Sequence, residues 1–160
     1  AAAGVAGTRL SGSRWSLTKT KEIPEEIDVR GEPVRIGVFV CHCGINIAGT
    51  VDVEAVADYV RTIPNVVYAA DCMFACSTDQ LQEIKDAIRT HHLNRVVVAS
   101  CTPRTHEPLF RNALRDAGLN PYLFELANIR EQDAWVHQGE PHAATEKAKS
   151  STIQKFIALR

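Results

Sequence analysis

The sequence has almost no net charge, since 18 Lys and Arg stand against 19 Asp and Glu in 160 residues, a formal charge of −1. That balance excludes the basic stripe with which a protein neutralises nucleic-acid phosphates or an anionic membrane surface. Long hydrophobic runs are missing as well. No apolar stretch approaches the roughly 20 residues that span a bilayer, and no nucleic-acid or membrane partner is expected. The start lacks the apolar h-region of a secretory signal, although Arg9, Arg14 and Lys19 with no acid among the first twenty residues superficially resemble a transit peptide. Because Ala1 rather than Met opens the chain, it is read as a processed or excised piece of a longer polypeptide.

Several motifs are absent or incomplete. There is no G-x-G-x-x-G, so no complete dinucleotide site is expected. Gly44-Ile45-Asn46-Ile47-Ala48-Gly49-Thr50 has the glycine spacing of a P-loop but lacks its phosphate-gripping lysine. No Ser/His/Asp set sits in a recognisable nucleophile context. An even cysteine count is missing too. Cys41, Cys43, Cys72, Cys76 and Cys101 make five, in a chain too large for a small disulfide scaffold. In a reduced cytoplasm, where this chain is expected, such a group reads as metal binding or redox chemistry.

What is present is ordinary globular composition, 45% apolar and 23% charged, enough for one domain. Residues 1–33 are Ala-, Gly-, Ser- and Thr-rich and then charged, and are read as an N-terminal arm or linker. From residue 34 to 140 strand and helix patterns alternate. Val34–Val40, Val66–Ala70, Arg95–Ser100 and Tyr122–Leu126 are β-branched or apolar runs of strand length. Between them lie helical periodicities: Val53, Val56, Ala57 and Val60 after a cap at Asp52, and Leu81, Ile84 and Ile88 after a capping box at Ser77–Gln80. A third has Leu109, Ala113, Leu114 and Ala117 after a cap at Thr105, with Gly118 at C′. Asn128–Glu131 offers another capping box, and 141–160 reads as a C-terminal helix leading to a missing neighbouring domain. Repeated β-α units with short loops predict an α/β fold, a Rossmann-like doubly wound parallel sheet of about four strands with flanking helices.

Placed on that map, Cys41, Cys43, Cys76 and Cys101 all fall in β-to-α connections. Those connections share one edge of a parallel sheet, the edge where open α/β sheets bind ligands. Four cysteines match the donor set of a four-iron cluster. Structural zinc also takes four, usually from paired short-spaced knuckles, and Cys41-x-Cys43 could serve as a thiol redox couple, although the familiar redox spacing is C-x-x-C. An inert set of loop thiols is the plain alternative. Helix N-termini point amides at the same edge; Arg104, His106 and Arg130 lie in the same loops and could tune a cluster there. Cys72 precedes the apolar Met73-Phe74-Ala75 and is read as packing rather than ligating, though it stays a possible additional ligand. His42, between two candidate ligands, is expected to point away. Trp135 is expected to pack or to shield the site from water.

The stretch Val40-Cys41-His42-Cys43-Gly44-Ile45-Asn46-Ile47 resembles the A-type subunits of heterodisulfide reductases, the HdrA family. So do residues Leu93–Phe110, with their Ser100-Cys101-Thr102-Pro103-Arg104 core, and Gly118–Phe124. The resemblance covers residues 34–148. It implies an iron–sulfur domain holding one [4Fe-4S] cluster on Cys41, Cys43, Cys76 and Cys101. It also implies an electron-transfer role beside a flavin domain, with FAD bound only in a neighbouring domain or chain, and beside ferredoxin-like domains. The parent proteins take part in flavin-based electron bifurcation in anaerobic metabolism, with B- and C-type subunits and a hydrogenase or formate dehydrogenase module. In many relatives a cysteine follows the Asn128–Gln132 stretch; here Asp133 stands there. Either that cysteine is not essential, or Asp133 supplies a carboxylate ligand. By this reading the chain belongs to an oxidoreductase without being catalytic alone.

Overall fold

The computed structural model describes residues 1–16, 18 and 20–159; Leu17, Lys19 and Arg160, the last at the close of the expected terminal segment, lie outside the described residues. The start forms α1 (Ala2–Leu10), a short helix with two glycines and no packing to support it, and a 3-10 turn at Ser11–Ser13; neither buries a residue. Further along, the expected arm is tied to the body. Ile27 N–H donates to the Gly118 carbonyl at 2.8 Å, Lys21 Nζ meets Asp116 at 2.6 Å, and Asn120 donates to Glu26 at 2.9 Å. At Gly118 the backbone has φ +85°, and a Cβ would stand 3.3 Å from the Glu25 carbonyl, so glycine serves both the turn and the arm's approach.

The body then alternates as expected: β1 (Ile36–Cys41), a short α2 (Ile45–Ala48), α3 (Val53–Arg61), β2 (Val66–Cys72), α4 (Thr78–Thr90), β3 (Arg95–Ser100), α5 (Pro103–Asp116) and β4 (Phe124–Asn128). A single π-helical turn (Arg130–Ala134) and α6 (Pro141–Ala158) complete it. All three strand pairings are parallel, in the order β2-β1-β3-β4. The α/β parallel sheet with flanking helices is thus what the sequence pattern predicts.

Alternation along the strands sorts the core into two layers. Ile36, Val38 and Val40 of β1, with Val97 and Ala99 of β3, pack on Val53, Val56 and Val60 of α3 and on Ala144, Ala148 and Phe156 of α6. Phe39 and Cys41, with Val96 and Val98, pack on Ile84 and Ile88 of α4 and Phe110 and Leu114 of α5. Helices therefore cover both faces, as a parallel sheet requires.

Three local expectations are corrected. The strands run further than their apolar runs suggest, so Cys41 and Cys72 are the last residues of β1 and β2 rather than loop residues. The cap of α5 is Thr102, whose hydroxyl accepts from Arg104 N–H at 3.4 Å, not Thr105. Pro103 decides this, since its fixed φ and missing N–H suit the first helical position. With the start moved, Phe110 faces the core and Leu109 is 37% exposed.

Candidate functional site

The strand order creates one special place. From β1 the chain moves outward to β2, then returns across β1 to β3, so the connections leaving the carboxyl ends of β1 and β3 diverge to opposite faces. The crevice between them is the switch point at which doubly wound sheets bind ligands. Cys41 ends β1, Cys43 lies two residues beyond it, and Cys101 directly follows β3. Cys72 ends β2 opposite Cys41 in register, and Cys76 lies four residues further. All five cysteines are free.

The backbone after β1 is bent to serve Cys41. Cys43 has φ +48° and Gly44 φ +55°, a left-handed pair that is uncommon for a non-glycine residue. The bend brings Cys43 N–H to the Cys41 sulfur at 3.2 Å, and the turn after β2 adds Ala75 N–H at 3.3 Å. The Cys72 thiol stands beside Cys41 across the β1–β2 pairing. That neighbouring thiol and the two amides hold the buried Cys41 thiol down, to about 6, against the opposing effect of burial. Cys72 moves the other way, because it is buried beside a thiol that ionises first.

Cys76 and Cys101 occupy equivalent positions. Each stands immediately before a helix cap: Ser77, whose hydroxyl accepts from Gln80 N–H at 3.3 Å, and Thr102. Burial pushes both thiols up. Both also feel the charges of Cys41 and Cys43 as like charge and that of Arg130 as opposite charge, so the four thiols and the guanidinium share one electrostatic neighbourhood. Arg130 donates to the Cys43 sulfur at 3.5 Å.

Arg104 and His106, expected beside the thiols, lie in the first turn of α5, and among the described residues no hydrogen bond or ion pair joins either to a cysteine. Asp133 is fully buried but turned to α6, where Ser151 donates to it at 3.2 Å and Lys147 stands 3.8 Å away. Met73 and Phe74 do not pack as expected. They are 56% and 49% exposed, and only Ala75 is buried. His42 points away from the sulfurs to Asp71, at 2.8 Å. Trp135 is half-exposed, with the Arg130 guanidinium stacked 4.9 Å from its ring centre.

The amides on Cys41 are not visible in the sequence, where only the Cys43-Gly44 pair hints at the bend behind one of them. Among the described residues, no three Cys, His, Asp or Glu side chains converge on a point that would hold a single metal ion. The cysteines stand instead at or just beyond three different strand ends. No described helix is long and apolar enough to cross a membrane.

No family model matches the chain. Among curated proteins it is 58% identical over 118 residues to the A-type subunit of the H2:CoB-CoM heterodisulfide, ferredoxin reductase of Methanothermobacter thermautotrophicus, covering 74% of this chain and 18% of that protein. The Methanothermobacter marburgensis counterpart is 56% identical over 125 residues, 78% of this chain and 19% of that protein. The second A-type iron-sulfur subunit of the CoB–CoM heterodisulfide reductase of Methanopyrus kandleri is 57% identical over 118 residues, again 74% and 18%. The chain thus spans about a fifth of the length of the curated relatives it matches, and the resemblance to the HdrA family read from its motifs holds.

Proposed function

We propose that this chain is the iron–sulfur segment of an HdrA-type protein, an electron-transfer module holding one [4Fe-4S] cluster on Cys41, Cys43, Cys76 and Cys101. The observation that carries the reading is the gathering of these cysteines, from three different strand ends, around the switch point of the sheet. The donor set fits the group. Four thiols are available, one of them already favoured as thiolate by a neighbouring thiol and two backbone amides. The word "iron-sulfur" in the name of the Methanopyrus relative is consistent with it.

When bound, such a cluster supplies a one-electron couple whose potential depends on charge and on hydrogen bonds to its sulfurs. The chain's own contribution is positional. The Cys43–Gly44 bend and the turn at Ala75 aim two N–H groups at the Cys41 sulfur, where they would also stabilise a ligating thiolate. Cys76 and Cys101, whose protons are held more tightly, release them on ligation, which makes uptake favour higher pH. Cys72, opposite Cys41 in register, acts on Cys41 rather than as a ligand in this reading. The apolar rim of Ile45, Met73 and Phe74 leaves the same edge approachable.

The parent protein's chemistry is a further part of the proposal. The relatives' names mention H2, ferredoxin and the CoB-CoM heterodisulfide. On that basis the module relays electrons within a heterodisulfide reductase complex; the family resemblance further implies FAD in a neighbouring domain, B- and C-type subunits and a hydrogenase or formate dehydrogenase module as partners, and electron bifurcation as the setting.

Anaerobic purification with iron and acid-labile sulfide assays, and EPR after dithionite reduction, tests the assignment. About four irons and four sulfides per chain are expected, lost in Cys101→Ser and retained in Cys72→Ala. One zinc per chain with no reduced-state signal makes this a structural domain instead. Metal-independent disulfide exchange through Cys41 and Cys43 makes it a thiol oxidoreductase.

A further inference from the structure

The π-helical turn after β4 supplies none of the four cysteines, yet its Arg130 reaches one of them, Cys43. Its i→i+5 bonds, Ala134 N–H to the Ile129 carbonyl and Trp135 N–H to the Arg130 carbonyl, are both 2.9 Å. Such turns recur at functional sites. This one brings together neighbours that do not face each other on a regular helix. Nε and Nη2 of Arg130 donate to one oxygen of Glu131 at 3.1 and 2.6 Å, while Nη1 reaches the Cys43 sulfur. The face of the guanidinium rests on Trp135. The other oxygen of Glu131 is buried with no hydrogen-bond partner, so Arg130 is the cation that answers this carboxylate. The two side chains are 19% and 27% exposed, so water screens them only in part.

We infer that Arg130 and Glu131 form an opposed charge pair that sets how readily the thiol site accepts negative charge, Arg130 favouring it and Glu131 trimming that effect. The inference rests on the four-cysteine site proposed above. Arg130 acts as a positioning residue and fixed cation, always protonated, bridging the one thiol it touches and the carboxylate that restrains it. Because reduction adds negative charge to a thiolate-ligated cluster, the cation stabilises the reduced state and the carboxylate opposes it. The sequence alone shows two adjacent charges of opposite sign, which on a surface would cancel into the solvent; in the turn Arg130 reaches a sulfur and Glu131 binds Arg130 from the other side.

The test is the midpoint potential of the chain reconstituted anaerobically with iron and sulfide, for wild type, Arg130→Gln, Glu131→Gln and the double variant. Arg130→Gln is expected to lower the reduction equilibrium constant about tenfold, the size of one pKa unit of charge interaction, or ~59 mV for a one-electron couple. Glu131→Gln is expected to raise it, and the double variant to return near wild type. Should Arg130→Gln fail to fold, Arg130→Lys keeps the cation without the bridge and is expected to move the potential down by less. Single variants that shift in the same direction, or none that shifts, overturn the inference. If wild type takes up no iron, the cluster assignment falls and this inference falls with it; a loaded wild type whose variants do not shift overturns this inference alone.

Discussion

Asp133 shows how much a single side chain's surroundings matter. Burial raises its pKa, and Ser151, Lys147 and His137 only partly offset that. A carboxyl with a raised folded pKa binds its proton more tightly folded than unfolded, so its contribution to stability falls as pH rises from its unfolded value, about 3.9, through the folded one. Relative to Asp133→Asn, wild type is therefore expected to be more stable at pH 4 than at pH 7, read from thermal unfolding at both. The turn of Asp133 toward α6 could not be seen in the sequence. Cys41, Cys43, Cys76 and Cys101 could be placed at a common edge because strand ends follow from hydrophobic runs, whereas the direction of one carboxylate follows from tertiary packing against a helix far along the chain. Arg130 is a similar case, legible as a charge near the loops and illegible as the partner of one sulfur.

At the scale of elements, caps hold the edge in place. Asp52 accepts from Ala55 N–H at 2.9 Å to begin α3, and its own N–H donates to Thr145 of α6 at 3.0 Å, so the cap joins two helices on one face. Asp52→Ala is expected to cost about 1 kcal/mol, the usual worth of an N-cap, as a fall in urea midpoint with an unchanged slope. The cap at Asp52 was legible because an acid directly precedes a helical apolar rhythm. The cap of α5 was not, since the apolar rhythm points to Thr105, while Pro103 sets the start at Thr102 through backbone geometry rather than through that pattern. The π turn left no trace in that pattern at all, because its irregularity lies in backbone spacing and not in which residues are apolar.

For the whole molecule, the N-terminal segment divides in two. No residue of 1–16 is buried, so deleting these residues is expected to leave the melting temperature unchanged. Extending the deletion to residue 33 removes the Ile27–Gly118 bond, the Lys21–Asp116 pair and the Val29 contact with the second core layer. That larger deletion is expected to lower the melting temperature by ~3 °C or more, at about 2–4 °C per kcal/mol in a domain of this size. Equal melting of the two truncations would show that the contacts of residues 21–33 contribute nothing. The number of strands and their parallel sense were legible from alternating patterns. Their spatial order was not, because β1, β2 and β3 read alike as buried runs, and only the assembled sheet shows that the first strand stands in the middle.

That central position of β1 also fixes an order of events in time. A chain made from its N-terminus exposes β1 first, yet both of its neighbours come later, and the second flank stays open until residue 100 has left the ribosome. Until then β1 has at most β2 beside it, and its remaining N–H and C=O groups form an unpaired edge of the kind that invites wrong pairing. Cys41, Cys43, Cys72 and Cys76 are by then already synthesised, while Cys101 arrives with the strand that closes the gap. The covering of both flanks of β1 and completion of the thiol set therefore coincide in one step, the docking of β3, with β4 added to β3 afterwards; a nascent chain halted before β3 docks holds neither.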